Sequence, residues 1–254
     1  MTLSTEPLKY TIFGIYQYVM EKLFSKKITN TKEIPIIINN FNRIEALLLL
    51  IECLEKRGYK NIHILDNQSS YPPLMEYYKK CPYPVYHLEN NFRSRAFWKS
   101  KNIAEFRKMV RKSYYVYTDS DVVLRDECPD NVLEILYLHL QKYRLSPKIG
   151  LSIRIDDLPD HYKYKQDVID WESRFWLKKN SDGLYRAPVD TTFALYRPRT
   201  KLSRSPYAKV FRTPFPYQII HLPWYNDSAN LTEEETYFKE RCLKATFWSS
   251  RNES

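Results

Sequence analysis

Residues 114–125 read YYVYTDSDVVLR, and the fold turns on this stretch. Residues 114–117 supply aromatic and β-branched side chains suited to a covered strand, and residues 122–124 resume the apolar pattern. Between them stand two carboxylates, Asp119 and Asp121, separated by Ser120. Acids inserted in such a run cost desolvation unless positive charge compensates them. A divalent cation, an arginine or a solvated turn would each meet that need.

Upstream, residues 34–39 (IPIIIN) form a β-branched run expected of a strand buried on both faces. Residues 43–57 read as a helix with Ile44, Leu47, Leu48, Ile51 and Leu54 on one face and Gly58 as its stop. Residues 61–65 (NIHIL) predict a second strand that ends in a polar turn beginning Asp66-Asn67, and residues 73–80 a short helix. Residues 85–88 predict a third strand, followed by the polar, basic segment ENNFRSRAFWKS. The run at 114–117 is then the fourth strand, with Asp119 just past its end.

Strands alternating with helices predict an α/β fold with a mostly parallel central sheet flanked by helices. Ligands of such sheets sit at the carboxyl ends of the strands. Residues 39–43, 66–69, 90–95 and 119–121 all share that position.

The second half is less regular. Asp130, after Pro129, is expected to cap a helix reaching about Arg144. Residues 148–155 (KIGLSIRI), 193–196 and 217–221 are strand-like, and Val168, Trp171 and Phe175 recur at helical spacing over 168–178. No internal repeat or linker divides the chain.

Composition sets limits on function. The 254 residues are 43% hydrophobic, ample for a core. Only four glycines occur, and neither G-x-G-x-x-G nor a P-loop is present, which weakens dinucleotide and P-loop readings. The net charge of +10 favours anionic partners. Cys53, Cys81, Cys128 and Cys242 form no C-x-x-C pair, so zinc and a disulfide framework are not expected, and a reducing, cytoplasmic setting is. No run is long enough to span a membrane, and no signal peptide is recognisable. Residues 10–27 (YTIFGIYQYVMEKLFSKK) read either as an amphipathic helix resting on a membrane or as a packed N-terminal helix.

The order of elements, and YVYTDSDVVL above all, resembles the GT-A glycosyltransferases, closest in its first half to the family 2-like group. The resemblance covers residues 34–124 well and the rest loosely. It implies a Rossmann-like GT-A domain over 34–254 behind an N-terminal helical extension (1–33). Residues 34–124 would take the nucleotide sugar and 125–254 the acceptor. The Asp-x-Asp motif then implies Mn2+ or Mg2+, held by Asp119 and Asp121 and bridging the diphosphate of a donor, most simply a UDP-sugar. A hard cation prefers carboxylate oxygens and neutralises a leaving diphosphate.

The resemblance also implies that Asn39, Asn40, Asn42, Arg43, Asp66 and Asn67 contact the nucleotide, with Asp119 and Ser120 beside them. Arg93 and Arg95 would face the diphosphate, although FRSRAFW departs from the glycine-containing segment that many family members carry. His221, in IIHLPWY, would complete the metal shell, and Pro223, Trp224 and Tyr225 would form an aromatic shelf beside the sugar or acceptor.

An inverting transferase needs a carboxylate to deprotonate the acceptor hydroxyl. Asp190, in APVDTTFALY, and Glu172, in DWESRFW, are the candidates, with Asp190 preferred for its apolar surroundings. The acceptor expected is a saccharide or a lipid-linked glycan. Residues 197–212 carry six basic residues and no acid, and read either as a solvated loop or as a contact for an anionic acceptor or an acidic membrane. Two other functions fit less well. A sugar nucleotidyltransferase would carry a glycine-rich loop near residues 34–43, and a nucleic-acid-binding module would carry a basic, aromatic stripe rather than acids at strand ends.

Overall fold

Ile36, Ile37 and Ile38 are fully buried because their strand, β1 (Ile36–Asn40), lies inside a sheet covered on both faces. The computed structural model describes residues 6–25, 27–190, 192–200 and 209–242. A helix, α1 (Glu6–Phe24), precedes β1. After β1 come α2 (Glu45–Lys56), β2 (Ile62–Asp66), α3 (Pro72–Lys80) and β3 (Val85–His87). Two short helices, α4 (Ala96–Lys99) and α5 (Ala104–Val110), lead to β4 (Tyr115–Asp119) and, after a tight turn, β5 (Val122–Leu124). Asp119 is thus the last residue of its strand rather than the first beyond it.

Further on lie α6 (Val132–Lys142), β6 (Lys148–Gly150), β7 (Ser152–Ile153) and α7 (Lys165–Ser173). The chain continues through β8 (Tyr185–Arg186), β9 (Ala194–Tyr196), β10 (Phe211–Arg212), β11 (Gln218–His221) and α8 (Glu233–Arg241). The large sheet has the order β3-β2-β1-β4-β9-β6-β10-β8, and a small one the order β5-β11-β7. In the large sheet β3, β2, β1, β4, β6 and β10 run one way, while β9 and β8 oppose them. The result is an α/β molecule with a mostly parallel central sheet.

Alternate residues of β1 enter two cores. Ile36 and Ile38 meet Leu47 and Leu54 of α2 on one face, and Ile37 meets Phe97, Tyr115 and Tyr117 on the other. Each isoleucine so buried contributes about 1.5–3 kcal/mol.

Several local expectations need correction. The buried stripe of α2 is Ala46, Leu47, Leu50, Ile51 and Leu54, which leaves Leu48 off the contact and exposed. Asn131, not Asp130, takes the N-cap position of α6; the carbonyl of Asp130 instead accepts the Tyr59 hydroxyl. Residues 148–155 split at Leu151, where the chain leaves the large sheet for the small one. A Cβ at Gly150, just before that crossing, would collide with Val189. On α7, Val168 is buried, Trp171 is only half-buried and the inward position is Glu172, while Phe175 falls beyond the helix in the 3-10 turn Arg174–Trp176 and is also half-buried.

The basic segment 197–212 is not simply solvated. Its ends, Arg197 and Arg212, are buried and paired with Glu21 and Glu172 at 2.6 and 2.7 Å. Lys201 and Arg204, within it, lie outside the described residues.

Candidate functional site

Strand register brings the polar strand ends together. Asn39 of β1 lies beside Asp119 of β4, and Asn40 beside Asp66 of β2. Asn39 Nδ2 donates to Asp119 Oδ1 at 2.9 Å. Asp121 sits in the turn between β4 and β5. Because β11 runs antiparallel to β5, His221 falls opposite Val122, and the Leu222 N–H donates to the Asp121 carbonyl at 2.9 Å. The small sheet therefore delivers a residue a hundred positions downstream to the Asp-x-Asp turn.

Two side chains converge on one oxygen of Asp121. His221 Nε2 lies 3.6 Å from Oδ2, and Arg43 Nε lies 3.7 Å from it. Burial pushes the His221 pKa below its ordinary value; Asp121 opposes that shift and Arg43 reinforces it. At neutral pH the ring is therefore uncharged and can offer a nitrogen lone pair. The Arg43 charge is disfavoured by burial, but Asp121 and Glu235 outweigh that, and its pKa is raised.

Helix α8 holds this arginine from outside the sheet. Glu235 accepts from Arg43 Nη1 at 2.6 Å, and the guanidinium lies 3.9 Å from the centre of the Phe238 ring. Neighbouring Glu234 accepts from the N–H groups of Ile44 and Glu45 at 2.5 and 2.8 Å. It satisfies the first turn of α2 in place of a local cap. Nothing in the sequence around Arg43 signals these partners. The only local hint is the Thr232 cap followed by three glutamates that opens α8.

Several predicted donor contacts are instead held in internal hydrogen bonds. Asn40 donates to the Tyr78 hydroxyl at 2.9 Å and accepts from Ser120 at 2.6 Å. Asn42, with φ of 51°, accepts from the N–H groups of Ser70 and Tyr71 at the start of α3. Asn67 ties down the next loop through the Phe92 N–H and the Arg93 carbonyl. Asp66 is buried, accepts from the Ser69 N–H and pairs with His87 at 2.9 Å. Arg93 and Arg95 lie in an exposed 3-10 turn beyond β3. Asn39, Arg43, Asp119, Asp121 and His221 are the predicted residues that the fold gathers into one cluster.

Both base candidates are located. Asp190 is exposed, so the apolar surroundings expected of it are absent, although its backbone carbonyl lies 3.3 Å from the buried Lys148 ammonium. Glu172 is buried and bonded to Arg212 at 2.7 Å. Of the aromatic shelf, Trp224 is buried and packs its ring 4.7 Å from His221, while the Tyr225 hydroxyl donates to Asp157.

Five buried polar atoms near the strand ends have no hydrogen-bond partner: Asn39 Oδ1, Asn42 Nδ2, Arg43 Nε, Thr192 Oγ1 and His221 Nδ1. Thr192 escaped the sequence reading. The antiparallel register of β4 and β9 (Tyr117 opposite Ala194), continued by two more pairs, would set it beside Asp119.

Among the described residues, no three His, Cys, Asp or Glu side chains gather as a self-sufficient metal site. The Asp121–His221 pair fits a cation that arrives with oxygen ligands of its own, as magnesium does with phosphates. No family model matches the chain, and no curated protein matches it.

Proposed function

We propose that the chain is a GT-A glycosyltransferase that moves a sugar from a nucleoside-diphosphate donor, such as a UDP-sugar, to a hydroxyl of a saccharide or lipid-linked glycan. The observation that carries this reading is the convergence of His221 and Arg43 on Asp121, beside Asp119, at the carboxyl edge of a parallel sheet. The strand order supports it, with the antiparallel β9 between β4 and β6 and a small second sheet that supplies the histidine.

Asp121 and His221 would hold the cation, Mn2+ or Mg2+, with donor phosphates completing its shell. That ion would neutralise charge on the leaving diphosphate. Asn39 orients Asp119, which would meet a ribose hydroxyl or the cation. Arg43 supplies a fixed positive charge that the metal does not have to provide. Asp190, exposed at the approach to β9, would take the proton from the acceptor hydroxyl as it attacks the anomeric carbon, giving inversion.

The direct test measures thermal stabilisation by a panel of nucleotide sugars with and without Mn2+, followed by slow donor hydrolysis. Stabilisation that requires both sugar nucleotide and cation supports the proposal. No shift with any pair, in a folded protein, overturns it.

A further inference from the structure

Helix α1 is turned inside out relative to an ordinary surface helix, which buries its apolar stripe and exposes its polar one. Its inward face is Gly14, Gln17 and Glu21, all buried. Gln17 donates to Thr200 Oγ1 at 2.5 Å and to the Pro198 carbonyl at 3.2 Å. Glu21 pairs with Arg197 at 2.6 Å and accepts from the Tyr114 hydroxyl. Gly14 permits close approach to Leu145, whose carbonyl oxygen would lie 3.2 Å from an added Cβ.

The opposite face carries Leu8, Ile12, Ile15, Tyr16, Val19 and Leu23, each 46–66% exposed. Their spacing places all six within roughly 100° of the helix circumference, along about 22 Å of its length. A contiguous exposed stripe of this kind calls for a partner.

Charge says which partner. After Glu6, the only carboxylate in α1 is Glu21, and it is buried. Cations border the stripe instead. Exposed Lys22 and Arg144 lie 5.5 and 5.4 Å from the Tyr18 ring, Arg199 lies 5.5 Å from the Phe24 ring, and exposed Lys27 follows the helix. A second copy of the chain would meet this margin with the same cations and the same net charge of +10. An anionic bilayer offers both an apolar layer for the stripe and phosphates for its border.

We propose that the outward face of α1 docks the protein on a membrane surface that contains acidic lipid. This goes beyond the catalytic reading and does not depend on it. Tyr114 and Leu145, which meet Glu21 and Gly14 of α1, precede β4 and β6, so α1 packs against the amino-terminal edge of the sheet. The strand ends that carry Asp119 and Asp121 lie at the other edge and stay open to solution when α1 is docked.

The test is cosedimentation of the full chain with vesicles of phosphatidylcholine alone or of phosphatidylcholine with phosphatidylglycerol, beside sedimentation equilibrium without lipid. Wild type should bind the anionic vesicles more tightly. The double variant Ile12→Ser/Val19→Ser should bind them at least about tenfold more weakly at an unchanged melting temperature, because both side chains are exposed. Lys22→Gln/Arg144→Gln should lose roughly 30-fold on anionic vesicles and little on neutral ones. Wild type that ignores anionic vesicles, or an Ile12→Ser/Val19→Ser variant that binds as well as wild type, overturns the proposal. So does a wild-type dimer that the same serine pair converts to monomer, since the stripe would then belong to a second copy.

Discussion

His221 Nε2 stands 3.6 Å from Asp121 Oδ2, too far for a hydrogen bond and close enough for one cation to engage both. Asp121→Asn keeps the shape of the turn and removes the charge. It should abolish cation-dependent stabilisation by nucleotide sugars and lower turnover by at least about 10²-fold. The fold should survive, because Arg43 keeps its 2.6 Å bond to Glu235. Full turnover in Asp121→Asn, or in wild type under excess chelator, excludes a catalytic cation at this pair.

The two base candidates separate by what each substitution does to stability. Asp190 is exposed, so Asp190→Asn should leave the melting temperature and donor affinity unchanged while turnover falls about 10²–10⁴-fold. Glu172→Gln removes the charge that compensates buried Arg212, so it should destabilise the fold by about 3–5 kcal/mol. Measuring turnover and unfolding on the same preparations tells them apart. A stable Glu172→Gln variant with lost turnover reverses the assignment.

The parallel strands β1 to β4 were legible in the sequence because each is a short β-branched or aromatic run with a polar end, a signal contained within a few residues, whereas β10, Phe211–Arg212, fell inside the segment 197–212 read as a loop. Asp119 and Asp121 stand out for the same reason. Contacts that join distant segments were not legible. Arg43 meets Glu235 across 192 positions, and no local pattern near residue 43 announces an acid on α8. Asn40, Asn42 and Asn67 look like ligand contacts in sequence, yet each bonds to a neighbouring loop or helix that only the fold brings near. The apolar face of α1 was visible as a periodicity, but periodicity does not say which face turns inward. That choice rests with Gln17 and Glu21 finding Thr200 and Arg197.

The Arg197 guanidinium is buried with Glu21, and it also donates to the carbonyls of Ser146 and Leu140. Removing only the carboxylate leaves a desolvated cation. Glu21→Gln should therefore lower stability by about 3–5 kcal/mol, read as a shifted urea midpoint. Replacing both partners by apolar residues, as in Glu21→Leu/Arg197→Met, should recover much of that loss. A Glu21→Gln midpoint equal to that of wild type would mean that α1 does not rest on this ion pair.

Lys148 gives the fold a pH dependence of predictable sign. Its buried ammonium donates to the Val189 carbonyl at 2.6 Å and approaches the Tyr196 hydroxyl at 2.9 Å. Burial pushes its pKa down to about 8 from 10.5; Asp190 opposes the shift and Arg212 adds to it. Below pH 8 the folded and unfolded states both hold the proton, and the penalty for burying the charge is complete. From there toward 10.5, the unfolded chain keeps a proton that the folded one has released, so this residue's contribution to stability rises with pH. Cysteines and tyrosines whose pKa values are raised act in the opposite direction at alkaline pH, which is why the comparison needs a variant that lacks only the amine. The unfolding free energy of wild type, measured against that of Lys148→Met, should climb between pH 8 and 10 by up to about 1.4 kcal/mol per unit. A difference that stays flat over that interval would show that the Lys148 amine titrates at its ordinary value and is not desolvated by the sheet around it.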